Sequence, residues 1–186
     1  MPGDNLVEAN WTAVLKEAIA EVFSMMLGCE IEAEDGGVRA ETPPDSGQEN
    51  GKGQPSIEVV FHRDSRGECG NTNEVTAVVG IAGELCGVFN FACGTPAARM
   101  MAAKMLGIEE ELAGEQQWDA LGEICNMIAG NFKSKLPGIG EHCMLSVPTI
   151  VVGSNYQVRS LARRHRMEYR FRVDGAPAHL TLELQQ

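Results

Sequence analysis

Four residues, Asp119, Glu123, Asn126 and Gly130, are spaced so that they share one face of a helix. At about 100° per residue they fall within roughly 60° of one another around the helix axis. A face that only meets water usually carries lysine and glutamate in varied order, whereas this one offers two carboxylates, an amide and a glycine. Glycine weakens a helix by about 1 kcal/mol relative to alanine, so its presence makes sense if another surface must approach the backbone closely. The pattern therefore predicts a docking face.

The residues between these four predict the element that positions them. Apolar side chains cluster on the opposite side of the same helix: Leu121, Ile124, Cys125, Ile128 and Phe132. This is an amphipathic helix, with its apolar side turned to the core. We expect it to run from about Glu115 to Lys135 and to end at Pro137-Gly138.

The rest of the chain alternates between helical and strand-like patterns. We expect a helix from Asn10, its N-cap, to Leu27 with a stop at Gly28, and a second helix opened by the cap Thr95 and ended by Gly107. Strands are expected at Cys29–Glu34, Ile57–Arg63, Val75–Ile81, Leu85–Cys93, Cys143–Val152, Arg164–Val173 and Ala178–Leu184. Residues 35–56 are poor in large aliphatic side chains and predict a flexible loop.

Helices interspersed with antiparallel hairpins indicate an α+β fold, in which an antiparallel or mixed sheet packs against two or three long helices. The length of 186 residues fits a single domain spanning 1–186.

Composition narrows the class of function. The net charge of −11 argues against a general nucleic-acid binder and against an anionic membrane surface. No apolar run approaches the roughly 20 residues of a membrane span, and Met1–Asn5 lacks the basic and apolar stretches of a signal peptide, so we expect a cytoplasmic protein. The six cysteines and four histidines show no metal-ligand spacing. We expect reduced core thiols and no metal held by this chain alone.

One basic cluster runs against this acidic average. Six of the 15 basic residues lie between Arg159 and Arg172. A nucleic-acid site is one interpretation, but apolar residues alternate with the charges from Met167 to Val173. Such alternation favours a half-buried strand with one solvated face.

The stretch Asp119-x-x-x-Glu123-x-x-Asn126-x-x-x-Gly130-x-x-x-x-x-Leu136 resembles the signature helix of the CheC/CheX/FliY group of bacterial chemotaxis phosphatases. Its local sequence, residues 120–131, is similar to the version found in CheX. Residues 98–107 upstream and 147–153 downstream extend the resemblance. Members with two functional copies repeat the signature in an earlier helix. Here Glu17 and Glu21 are not followed by an asparagine at the required place. One intact copy points to the CheX branch, whose members form homodimers.

The resemblance implies a phosphatase that hydrolyses the phospho-aspartate of a CheY-like response regulator in chemotaxis or related two-component signalling. Asn126 would position the attacking water, and Glu123 would contact the regulator's lysine. Gly130 would let the regulator's loop come close, while Asp119 would serve either the helix dipole or a rim contact. The resemblance implies no cofactor bound by this chain, because the Mg²⁺ would belong to the regulator. Leu136 is expected in the core.

Two other classes of function stay open at this point. A non-catalytic adaptor could bind a response regulator, or another chemotaxis or flagellar protein, through the same helix face. A purely structural flagellar or dimerisation module would be indifferent to phosphorylation.

Overall fold

The computed structural model describes residues 4–41, 57–61, 74–154, 156–160 and 165–185. Three helices alternate with nine strands in this part of the chain. In chain order they are α1 (Asp4–Val22, continued by a π-helical turn Phe23–Leu27), β1 (Ile31–Glu41), β2 (Ile57–Phe61), β3 (Glu74–Gly83), β4 (Cys86–Gly94), α2 (Thr95–Leu106), α3 (Gln116–Ser134), β5 (Cys143–Leu145), β6 (Thr149–Gly153), β7 (Tyr156–Ser160), β8 (His165–Val173) and β9 (Ala176–Gln185).

Seven of the strands form one antiparallel sheet in the order β1-β8-β9-β4-β3. The short strands β5 and β6 both pair with the free edge of β3, one after the other. Strands β2 and β7 pair separately as an antiparallel ribbon. The α+β class, with an antiparallel sheet and three helices, is confirmed.

The core lies between the helices and one face of the sheet. Aromatic rings from both layers meet there edge to face: Phe23 of the π-helical turn contacts Phe171 of β8 at 5.4 Å between ring centroids, and Phe132 of α3 contacts Phe89 of β4 at 5.5 Å. All four side chains are fully buried. These pairs combine a large buried apolar area with a favourable ring geometry: the first holds the end of α1 on the sheet and the second holds α3 on it.

The helix ends were predicted with mixed success. The first helix ends as expected, because Gly28 takes the left-handed conformation (φ 62°) and its N–H bonds the Phe23 carbonyl. Its start was wrong: the helix begins at Asp4, and Asn10 is an exposed residue inside it. The N-cap of α2 is Gly94 rather than Thr95, which is the first helical residue, while Gly107 ends the helix as predicted.

The predicted loop at residues 35–56 begins too early, because β1 continues to Glu41. Its pairing with β8 shifts register between Ala33 and Val38, so a bulge absorbs the glycines that suggested a loop. Residues 42–56 lie outside the described residues. The ribbon partner β7 was not predicted.

The last hairpin and its arginines behave as a half-buried strand pair should. Met167, Tyr169, Phe171 and Val173 are buried, and the chain turns at Asp174-Gly175. The intervening arginines pair with carboxylates: Arg166 and Arg170 with Glu168, and Arg172 with Glu34. Cations already paired in this way favour the interpretation of a solvated face over a nucleic-acid site. None of the described helices is long and apolar enough to cross a membrane.

The contact between Phe132 and Phe89 gives a test of how α3 is held. Phe132→Ala should lower the free energy of unfolding by about 3–5 kcal/mol, because it leaves a cavity between helix and sheet. Urea unfolding followed by circular dichroism measures this loss. Met144→Ala, at a side chain that is mostly exposed, serves as the control and should change stability by less than about 0.5 kcal/mol. Equal effects of the two substitutions would contradict the assigned packing.

Candidate functional site

Helix α3 presents the four predicted residues on its outer face. Asp119 and Glu123 are exposed, and Asn126 and Gly130 are half-buried. The opposite side is closed completely, with Ile124, Cys125, Ile128, Ala129 and Phe132 at 0% exposure. The helix therefore brings all four candidate residues to one surface stripe, which we call the α3 stripe (Asp119, Glu123, Asn126, Gly130).

The polar groups of the α3 stripe are not used by the fold. Neither Glu123 nor Asn126 makes a hydrogen bond or ion pair with any described residue. Other polar residues of this helix do bind within the chain: Asn131 and Lys133 both donate hydrogen bonds to neighbouring elements. A carboxylate and an amide left unpaired side by side keep all their acceptors and donors for another molecule.

Two glycines on α3 differ in how closely the rest of the chain packs against them. A Cβ added to Gly122 would lie 3.2 Å from Pro148 Cβ and 3.4 Å from Ile150 Cδ1, so the edge segment packs closely on this glycine and would have to shift by a few tenths of an ångström to admit a side chain. A Cβ added to Gly130 would meet only Leu145 Cδ1, at 3.9 Å. Because that distance is ordinary van der Waals contact, packing within the chain does not explain the glycine of the stripe.

One flank of the α3 stripe is the segment from Cys143 to Ile150, which we call the edge segment. The predicted strand at Cys143–Val152 is broken into β5 and β6, and Pro148 lies in the break just before β6. Polar bonds fix its path. Lys133 Nζ donates to the Cys143 carbonyl oxygen at 2.5 Å, the Ser146 N–H donates to the Gly80 carbonyl at 2.9 Å, and the Gly80 N–H donates to Ser146 Oγ at 2.9 Å.

The other flank is α1. Asn131 Nδ2 donates to Glu21 Oε2 at 2.8 Å, and Lys135 Nζ lies 2.8 Å from Glu21 and 2.9 Å from Glu17. Hydrogen bonds from Lys135 and Asn131 lower the pKa of Glu21. The two α1 carboxylates where a second signature would stand therefore hold α1 against α3.

The remaining side chains near the helix are structural. Leu136 is buried in the core, as expected. Burial raises the pKa of the Cys125 thiol to about 12, so it stays protonated, and its Sγ–H points to the Ala77 carbonyl at 3.6 Å. Five of the six cysteines fall in the described ranges, and all five are free thiols. Within those ranges no cluster of three or more His, Cys, Asp or Glu could hold a metal ion.

Sequence reasoning did not foresee Gly122, the edge segment or the Asn131 bond. The signal for Gly122 was available, because Gly122 and Gly130 lie four residues before and four residues after Asn126, in one i, i+4 row of the helix surface. The signal for the edge segment was Pro148, which cannot donate a hydrogen bond to a strand ladder and so indicates a sheet edge, a bulge or a break within the strand.

The family model for "Chemotaxis phosphatase CheX" matches residues 75–172, more than half of the chain. The chain belongs to the CheX family. The match spans β3 to β8 and so contains the whole α3 stripe and the edge segment. The CheY-P phosphatase CheX of Thermotoga maritima is 32% identical over 90 residues, which are 47% of this chain and 57% of that protein. The matched stretch thus spans little more than half of that relative.

Solved structures of CheX proteins share the fold. The CheX of Vibrio vulnificus superposes with a TM-score of 0.67 at 16% identity, covering 95% of this chain and 99% of that one. The CheX of Borrelia burgdorferi, in a complex described as CheX-CheY-BeF3-Mg+2, gives 0.61 at 19% identity, covering 95% and 98%. At these identities the likeness extends to the fold alone.

The contrast between the two glycines gives a prediction for stability. Gly130→Ala should raise the free energy of unfolding by about 0.5–1 kcal/mol, because alanine favours the helix and the added methyl finds ordinary contacts. Gly122→Ala should gain less or lose stability, because its methyl must displace Pro148. Thermal and urea unfolding of both variants measure the difference. A Gly130→Ala variant less stable than the parent would mean that packing within the chain, not an approaching partner, explains that glycine.

Proposed function

We propose that this CheX-family chain is a phosphatase that hydrolyses the phospho-aspartate of a CheY-like response regulator in chemotaxis or related two-component signalling. The observation that carries the proposal is the α3 stripe, where Glu123 and Asn126 project from a rigid helix without partners in the described part of the chain. The name of the Thermotoga relative, a CheY-P phosphatase, and the CheX-CheY complex from Borrelia support it.

Asn126 is proposed to position the attacking water. Its amide oxygen can accept a hydrogen bond from the water while its NH₂ group binds another acceptor in the regulator's site. The water oxygen attacks the phosphorus, and the bond between phosphorus and the aspartate oxygen breaks, releasing inorganic phosphate and the free carboxylate. Because an acyl phosphate is already a good leaving group, alignment of the water matters more than a strong base.

Glu123 is proposed to fix the register of docking. A carboxylate aimed at the phosphoryl group would be repelled, so its favourable partner is a lysine beside that group. Gly130 is proposed to admit a loop of the regulator close to the helix backbone, and Asp119 to act at the rim or on the helix dipole. The Mg²⁺ that neutralises phosphoryl charge is proposed to belong to the regulator, with no cofactor held by this chain.

The setting of the activity is part of the proposal. Regulators of this kind act inside the cell, so we place the protein in the cytoplasm.

The resemblance to CheX supports a homodimer, and sedimentation showing a 20.1 kDa monomer at micromolar concentration would contradict it. A non-catalytic adaptor remains the alternative, which a regulator bound without phosphate release would favour.

Replacement of the proposed water-positioning amide gives the sharpest test. Asn126→Ala should slow regulator dephosphorylation on the order of 10²-fold, as for other positioned catalytic groups, with little change in stability. Phosphate release from a phosphorylated CheY-like regulator in Mg²⁺ measures the rate.

Asn131→Ala is the matched control for this test, because it removes an amide that lies on the same helix but is bonded to α1. It should lower stability by about 1 kcal/mol through the lost bond to Glu21 and retain the rate. An Asn126→Ala variant as fast as the parent would remove this residue from the mechanism.

Glu123 and Asp119 form a second matched pair, one helical turn apart on the stripe. Glu123→Ala should weaken productive docking roughly 30-fold, because it leaves the regulator's lysine without its partner. Asp119→Ala should have a much smaller effect. Affinity for the regulator at two salt concentrations measures both, and the parent should lose more affinity in high salt than Glu123→Ala does. Full affinity and rate in Glu123→Ala would exclude it from the site.

A further inference from the structure

Val147 has no structural reason to be apolar. It is 85% exposed, the highest value among the large apolar side chains of the described residues. It lies in the break between β5 and β6, where a polar residue would be solvated without loss.

Its position is fixed beside the α3 stripe. Leu145 lies next to Gly130, and Pro148 lies against Gly122. Val147 stands between these two contacts, and Asn126 stands midway between the two glycines on the helix. The neighbouring Ser146 is bonded to Gly80 through both its backbone and its side chain. The break in the strand therefore places Val147 in the short stretch between the residues that pack on α3 at Gly130 and at Gly122.

A second apolar side chain extends this surface. Ile150 packs on Gly122, and side chains alternate along a strand, so Val152 lies on the same side of β6 as Ile150. Val152 is 43% exposed. Val147 and Val152 thus border the polar stripe on the side of the edge segment.

We propose that Val147 and Val152 form the apolar half of the regulator-docking surface and bury an apolar patch of the phosphorylated CheY-like receiver domain beside its phospho-aspartate. This inference rests on the proposed function. A receiver that brings its phospho-aspartate to Asn126 and a loop to Gly130 must also cover the edge segment. The polar stripe offers no apolar side chain to bury, whereas stable interfaces bury an apolar centre within a polar rim.

The test compares Val147→Ser with Met144→Ser. Met144 is 75% exposed on the same edge segment, but it alternates with Cys143 and Leu145, which face the core and α3, so it lies on the opposite side of the sheet. For Val147→Ser we expect KM for the phosphorylated regulator to rise about tenfold, the effect of losing one buried valine side chain. The loss should fall on KM rather than kcat. Val147→Ile keeps an apolar side chain and should have the KM of the parent. Met144→Ser should also have the parental KM.

Affinity for a regulator activated with beryllium fluoride and sedimentation of the free protein complete the experiment. A Val147→Ser variant with parental KM and affinity would overturn the inference. So would a change confined to sedimentation, since the surface would then belong to a second copy of this chain. Suppose that the parent binds the beryllium fluoride form of the regulator and yet releases no phosphate from the phosphorylated form. In that case weaker binding by Val147→Ser supports the docking surface, while the catalytic proposal fails. A parent that neither binds nor dephosphorylates any regulator tested overturns both.

Discussion

The complete burial of one side of α3 is the constraint on which the rest of the structure depends. Ile124, Ile128 and Phe132 reach the sheet with no exposed area, and Cys125 fills the space below the Ala77 carbonyl. A helix held this tightly cannot rotate, because any rotation would expose apolar area and open voids. The orientation of Glu123 and Asn126 is therefore set by the core and not by contacts of their own.

Both flanks of α3 are held by polar bonds that leave the outer face clear. On one side Lys133 and Ser146 tie the edge segment to the helix and to β3. On the other side Lys135 and Asn131 bind Glu17 and Glu21 of α1. Glu17 and Glu21, which are not followed by an asparagine that would complete a second signature, contact α3 instead. Within α3, polar residues at the flanks bind other parts of the chain, and the polar residues Glu123 and Asn126 of the stripe do not.

The sequence predicts best those parts whose signals are local. Helix α3 combines strong amphipathic spacing with Pro137-Gly138 at its end, and the last hairpin combines alternation with the turn Asp174-Gly175, so both were predicted with nearly correct bounds. The start of α1 was predicted wrongly at Asn10, because asparagine caps helices but also occurs on the exposed face of a helix. The pairing of β2 with β7 joins residues about a hundred positions apart, which no local pattern records. The spacing predicted the four residues of the stripe, but not that Gly122 packs within the chain while Gly130 does not, because that distinction depends on where Pro148 and Leu145 lie.

The unpaired state of Glu123 and Asn126 also determines what association demands of this chain. No bond within the described structure has to break before these two side chains can engage a ligand, and the backbone beneath them is already ordered. The conformational entropy lost on this side of a complex is limited to a few side-chain torsions, so little of the binding free energy is offset by ordering this surface. Association with such a surface is not slowed by a conformational change of this chain, because the groups that bind already stand in place.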